Sequence, residues 1–134
     1  MQAGAPPPKR ILIVEDNELN LQLLNDILEV HGYATIVASN GAEAIDLARR
    51  DRPDLILLDI RLPDISGMDV ARQLKSDERT RAIPLIAVTA FAMPGDRAMI
   101  LESGCDEYVS KPINIRDFLA LVERYVDGQS QLMP

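Results

Sequence analysis

Hydrophobic and polar positions alternate along this chain in blocks of two periods. Ile11-Leu12-Ile13-Val14 and Leu55-Ile56-Leu57-Leu58 are continuous aliphatic runs, and Tyr108-Val109 closes a third. Short β-branched and aliphatic runs of this kind predict strands buried on both faces, as in a parallel sheet. Strands are expected at about 10–15, 34–38, 54–59, 84–89 and 106–110. The intervening segments carry helical spacing. Leu19, Leu23, Leu24, Ile27 and Leu28 form a stripe behind Asn17 that ends near His31-Gly32. Asn40 with Glu43, Ser66 with Asp69, and Asn114 with Asp117 resemble capping boxes that open three more helices. The last of these carries Phe118, Leu119, Val122, Tyr125 and Val126 on one stripe. A less regular helix is expected over about 93–103, stopped by Gly104, with Met93, Met99, Ile100 and Leu101 spread around it.

Strand and helix thus alternate five times from Lys9 onward. Right-handed crossovers then put helices on both faces of a five-stranded parallel sheet. The order expected is 2-1-3-4-5, a doubly wound, flavodoxin-like α/β fold with its switch point between the first and third strands. Residues 1–8, with three prolines and nothing to pack, read as a disordered leader. Residues 9–127 read as one domain and 128–134 as a short polar tail.

The apolar runs end in charge. Strand one meets Glu15-Asp16, strand three meets Asp59, and strand five meets Lys111-Pro112. Parallel strands share one carboxyl edge, so three carboxylates and an ammonium gather where open α/β sheets hold ligands. Asp16 and Asp59 offer hard oxygen ligands suited to Mg2+ or Mn2+, and the longer Glu15 is expected to act through a bound water. A carboxylate can take a phosphoryl group once the approaching charge is neutralised. Lys111 would then pair with phosphoryl oxygens. Thr89, ending the fourth strand, could hydrogen-bond the same oxygens. Lys111-Pro112 is a candidate cis peptide.

Bulk composition narrows the classes further. The 134 residues carry a net charge of −7, with a pI near 4.6, which argues against direct nucleic-acid or anionic-membrane binding. No apolar stretch has the length of a membrane span. A lone Cys105 excludes an internal disulfide and fits a reducing, cytoplasmic setting. Its ordinary role is that of a small buried hydrophobe. His31, the single histidine, sits where a helix dipole favours it; no kinase motif surrounds it.

The motifs ILIVEDN, LLDIRLPDISG, VTAFA and YVSKP, in this order and spacing, resemble a receiver domain of two-component response regulators. The resemblance covers about residues 9–127. VEDNELN, DIRLPDISGMDV and TAFAMPGD are most similar to the single-domain DivK type, with a CheY-like fold. The resemblance implies that Asp59 is the phosphoacceptor, charged by a sensor histidine kinase or histidine phosphotransferase. It implies Asp16 and the backbone carbonyl of Arg61 as further metal ligands, Thr89 and Tyr108 as switch residues, and Lys111 as the conserved cation of the pattern. Arg61 and Phe91 stand where the family tunes self-dephosphorylation. Glu15 and Leu62 depart from the commonest residues at their positions.

A phosphorylation switch of this kind would act on a downstream regulatory protein, as a monomer or weak dimer. Met93, Met99, Tyr108 and Ile113 are its expected partner surface, with Ile100 and Leu101 beside them on the moving helix. Other readings are a receiver fragment of a hybrid kinase or output-domain regulator, and a degenerate receiver that signals by binding alone. A metal-dependent phosphatase with an aspartyl nucleophile is a further alternative. Such enzymes carry a second Asp two positions on, where this chain has Arg61.

Overall fold

A computed structural model describes residues 7–90 and 93–131, apart from the side chains of 128–131. The strands are β1 (Arg10–Val14), β2 (Ala34–Ala38), β3 (Leu55–Leu58), β4 (Leu85–Thr89) and β5 (Glu107–Ser110). They form one parallel sheet in the order β2-β1-β3-β4-β5, as the crossover argument predicts. The helices are α1 (Glu18–Val30), α2 (Gly41–Asp51), α3 (Gly67–Ser76), α4 (Asp96–Glu102) and α5 (Ile115–Gln131).

Alternate side chains of the central strands enter opposite cores. Leu12, Val14, Ile56, Leu58, Leu85 and Ala87 meet Ala44, Ala48, Val70, Ala71, Leu74 and Ile100 from α2, α3 and α4. Ile11, Ile13, Leu55, Leu57, Ile86 and Val88 meet Leu24, Ile27, Leu28, Phe118, Val122 and Val126 from α1 and α5. Burial on both faces is why these strands read as continuous rather than alternating apolar runs.

Helix starts follow the short polar residues, with changes in detail. Asn17 accepts from Asn20 N–H, Asn40 from Glu43 N–H and Asn114 from Asp117 N–H. Glu43 does not complete the expected box, because its carboxylate accepts from Ser39 N–H at 2.9 Å. Ser66 caps Met68 N–H rather than Asp69 N–H, its short side chain reaching the nearer amide. Asp69 turns outward to Arg72, 2.7 Å away.

Three further expectations are corrected. The irregular helix is shorter than 93–103, because Gly95 adopts φ 92° as its N-cap and Met93 N–H is taken by the Asp96 carboxylate. Leu19 and Leu23, counted in the apolar stripe of α1, are 81% and 47% exposed. They lie off the arc that faces the sheet, which Leu24, Ile27 and Leu28 fill. Helix α5 runs on to Gln131, through the first residues of the segment read as a tail. The rest of that segment, and positions 1–6 of the expected leader, lie outside the described residues.

Among the described residues, no helix is long and apolar enough to cross a membrane. Gly104 ends the α4 region at φ 119°, as expected of a stop signal. Cys105 is buried, and burial pushes its thiol up to about 11. His31 caps α1, its Nδ1 2.9 Å from the Ile27 carbonyl oxygen.

Asp77 ties the ends of α2 and α3, with Arg49 Nε 2.8 Å and Arg79 Nη2 3.0 Å from its Oδ2. The Arg79 side chain, then its backbone N–H, and also Arg49 hold the Asp77 carboxyl far below the usual carboxylate range. A depressed folded-state pKa adds stability that is complete above the unfolded value of about 4 and is lost as pH falls below it. Urea midpoints are therefore expected to drop less between pH 5 and strong acid for Asp77→Asn than for the wild type. Equal acid sensitivity would remove Asp77 from that account.

Candidate functional site

The carboxyl ends of β1, β3, β4 and β5 converge as the sequence predicts. Glu15 follows β1, its N–H bonded to the Ala38 carbonyl. Asp59 follows β3, its N–H bonded to the Val14 carbonyl at 3.0 Å. Lys111 follows β5 and donates its N–H to Thr89, the last residue of β4. These backbone bonds extend the ladder one step past the strands and aim the side chains into one cleft. The Lys111-Pro112 bond is cis.

Glu15 is 2% exposed and Asp59 7%, whereas Asp16 is exposed. One carboxylate oxygen from each of the three lies within 4.8 Å of the others. Lys111 Nζ is 2.7 Å from Glu15 Oε1 and 3.4 Å from Asp59 Oδ2. The remaining oxygens are engaged from the backbone: Asn17 N–H donates to Glu15 Oε2 and Arg61 N–H to Asp59 Oδ1, each at 3.2 Å. Burial raises the Glu15 pKa above the ordinary glutamate value, and the charge of Asp59 adds to it; the Lys111 and Asn17 bonds oppose this. Burial works against the Lys111 ammonium too. Its contacts with Glu15 and Asp59 outweigh that, so its pKa lies above the usual lysine value.

The cleft is lined by four acidic residues, Glu15, Asp16, Glu18 and Asp59, against Arg61 and Lys111, which leaves negative charge in excess. An all-oxygen donor set of this size fits a hard divalent cation. Arg61 lines the same cleft of about 590 Å³, together with Leu19 and Asn20 from α1. Helical spacing alone puts Leu19 on the apolar stripe of α1. Its position in the first turn, beyond the end of the sheet, is the signal that puts it at the cleft instead.

Thr89 is fully buried at the end of β4, paired in register with Ser110. Tyr108 is partly buried against the core that includes α4. Burial, then the charge of Asp96, raises its hydroxyl pKa. Of the expected partner surface, Met93 and Met99 are 69% and 50% exposed. Ile113 is half-buried against the other core. Ile100 is a core residue with no exposure, a correction to its place on that surface. Phe91 lies outside the described residues.

Two features escaped the sequence reading. One is the direct Glu15–Lys111 pair, made between residues far apart in the chain. The other is Asp64, whose carboxylate accepts from Gly41 N–H at 2.8 Å and Ala42 N–H at 3.0 Å, clasping α2 from the loop after Asp59. A larger depression of about 750 Å³ lies between Arg49, Arg72 and Arg79, remote from this cleft. Its arginines are already paired with Asp69 and Asp77.

Gly67 holds the loop after Asp59 in place. Its N–H donates to the Ile60 carbonyl at 2.8 Å, and a Cβ there would collide with the Asp59 carbonyl oxygen and stand 2.7 Å from Ile60 Cα. Both are backbone atoms with no free rotation to relieve the clash. Gly67→Ala is expected to cost roughly 2–3 kcal/mol, as overpacking does, read from the urea midpoint. A cost below about 0.5 kcal/mol, the size of a neutral surface change, would show that the contact is slack.

Comparison with known proteins agrees with the geometry. The model of the response regulator receiver domain matches residues 11–123. The polar-differentiation response regulator DivK of Brucella anthropi is 54% identical over 119 residues, covering 89% of this chain and 97% of the relative. DivK of Brucella abortus is 52% identical over 118 residues, covering 88% and 96%. Among solved structures, a CheY-like receiver domain protein from Methanospirillum hungatei superposes with a TM-score of 0.85 at 31% identity, covering 92% and 98%. The receiver domain of a Pseudomonas aeruginosa sensor histidine kinase superposes at 0.84 with 34% identity, covering 90% and 98%. That domain is described with a magnesium ion coordinated in its active-site cleft.

Proposed function

Because the chain belongs to the response regulator receiver domain family, a phosphoacceptor class of two-component signalling, we propose that Asp59 is the residue that accepts the phosphoryl group. One observation carries this reading: Asp59, at the carboxyl end of β3, is a buried member of a three-carboxylate cluster and lies 3.4 Å from the Lys111 ammonium. The incoming phosphoryl group leaves the phosphohistidine of a sensor kinase or histidine phosphotransferase. A bond forms from an Asp59 oxygen to phosphorus as the phosphorus–nitrogen bond breaks.

Asp16, Asp59 and the Arg61 carbonyl would hold Mg2+ or Mn2+, with Glu15 acting through a bound water. The ion supplies positive charge to the phosphoryl oxygens. Lys111 moves its contact from the Asp59 carboxylate to those oxygens, and the Thr89 hydroxyl donates to another. Tyr108 follows Thr89, since the two occupy adjoining strands, and alters the face formed by α4, β5 and α5. Met93, Met99, Tyr108 and Ile113 then present a changed surface to a downstream regulatory protein. The chain works as a switch in the cytoplasm rather than turning over a metabolite. The phosphatase alternative lacks its acid, because Arg61 stands at that position.

A phosphorylated histidine phosphotransferase mixed with the chain and Mg2+ tests this reading. The label should move to the chain, and EDTA should hold it on the donor. Transfer that is indifferent to EDTA, or a donor that keeps its label in Mg2+, would sink the proposal.

A further inference from the structure

The segment from Asp59 to Ser66 carries the acceptor and the adjoining Arg61, and it is held at three places. Its start is fixed by Asp59 N–H on the Val14 carbonyl, and its end by Gly67 N–H on the Ile60 carbonyl. Its middle is tied to α2 through the Asp64 carboxylate. Each carboxylate oxygen of Asp64 takes one N–H from the first turn of α2, at 2.8 Å from Gly41 and 3.0 Å from Ala42. Those amides are donors that the helix itself leaves unused, and the positive end of the helix favours an anion there. The same bonds, Gly41 first and Ala42 second, hold the Asp64 carboxyl below the usual carboxylate range. The neighbouring Ile65 closes on the same turn: a Cβ at Gly41 would stand 2.5 Å from Ile65 Cγ1. Helix α2 is a firm anchor, since Ala44 and Ala48 are fully buried.

We infer that Asp64 is a positioning residue for the phosphoacceptor site: by clasping α2 it sets the loop that presents the Arg61 backbone to the cation and to Asp59. This rests on the reading of the cleft as a metal-dependent phosphoacceptor site. Asp64 touches neither cation nor phosphoryl group, and it acts through Arg61, whose N–H already holds Asp59 Oδ1.

The competing explanation is that Asp64 merely caps α2. Asn40 provides the control, because its side chain caps the same helix through Glu43 N–H at 2.8 Å while standing outside the loop. Mn2+ dissociation constants, read from the paramagnetic resonance of free Mn2+, are measured on the full chain. The Mg2+ dependence of phosphoryl uptake from a small acyl phosphate and the urea midpoints are measured beside them. Asp64→Ala is expected to weaken Mn2+ binding about tenfold and to raise the half-maximal Mg2+ concentration in step, as loss of an outer-shell support does. Asp64→Asn, which keeps one acceptor, should show a smaller loss in the same direction, and it serves alone if Asp64→Ala does not fold. Asn40→Ala should lower the urea midpoint and leave metal affinity as in wild type. Unchanged affinity in both Asp64 variants, or an equal loss in Asn40→Ala, overturns the positioning role. A wild type that binds no Mn2+ and takes no phosphoryl group overturns the site reading and the inference with it.

Discussion

Asp59→Asn is expected to reduce phosphoryl uptake from a small acyl phosphate by at least on the order of 100-fold, because the amide replaces the only proposed nucleophile. The substitution is close to isosteric. An Asn oxygen can still accept from Arg61 N–H, which stands 3.2 Å from Oδ1. Lys111 loses its 3.4 Å contact with Asp59 but keeps its 2.7 Å contact with Glu15. Removing one of three crowded carboxylates also relieves repulsion on Glu15, whose pKa the Asp59 charge helps to raise. Stability should therefore stay within about 1 kcal/mol of wild type, the scale of losing a partly solvated ion pair. Intact mass spectrometry reads the first effect and urea unfolding the second. A folded variant that labels as fast as wild type would place the acceptor elsewhere.

Lys111→Met should be the most damaging single change to stability at this site. Methionine retains the apolar stem, so the loss is that of the ammonium. Glu15 would remain 2% exposed with no cation beside it. Removing one member of a buried pair costs about 3–5 kcal/mol, and the lower half of that range applies because the Lys111 side chain is 17% exposed. Function should move in two opposite directions. Divalent-cation binding should tighten, since the metal no longer competes with an ammonium for the same carboxylates. Phosphoryl uptake should fall on the order of 100-fold at saturating Mg2+, the usual cost of removing one positioned charge from a transition state. Urea unfolding, Mn2+ binding and single-turnover labelling separate these effects. Weaker metal binding with an unchanged saturated rate would mean that Lys111 serves only the ground-state architecture.

What could be read in the chain beforehand follows physical range. Ile11–Val14 of β1, all of β3 and Leu85–Val88 of β4 are aliphatic because both faces are buried, and these runs announce the site by leading into Glu15-Asp16, Asp59 and Thr89. Caps at Asn17, Asn40 and Asn114 act within three residues and were equally visible. Interactions across the fold were not. Periodicity could not separate Leu19 and Leu23 from the core arc of α1, since helical spacing defines a stripe but not where the sheet ends beneath it. Nothing local links Glu15 to Lys111, or Asp64 to the first turn of α2. The sequence pairs Lys111 with phosphoryl oxygens, whereas in the structure it contacts Glu15 and Asp59. The two assignments give one cation alternative anionic partners, which is the exchange the proposed transfer step uses.

The most direct test of the central claim is chemical trapping of the acceptor. The wild-type chain is labelled with a small acyl phosphate in Mg2+ and reduced with borohydride, which converts an aspartyl phosphate to homoserine. The peptides are then sequenced by mass spectrometry. The account predicts homoserine at position 59 alone, dependent on Mg2+. Homoserine at Asp16 or another carboxylate, or a label that survives reduction with Asp59 intact, would contradict it.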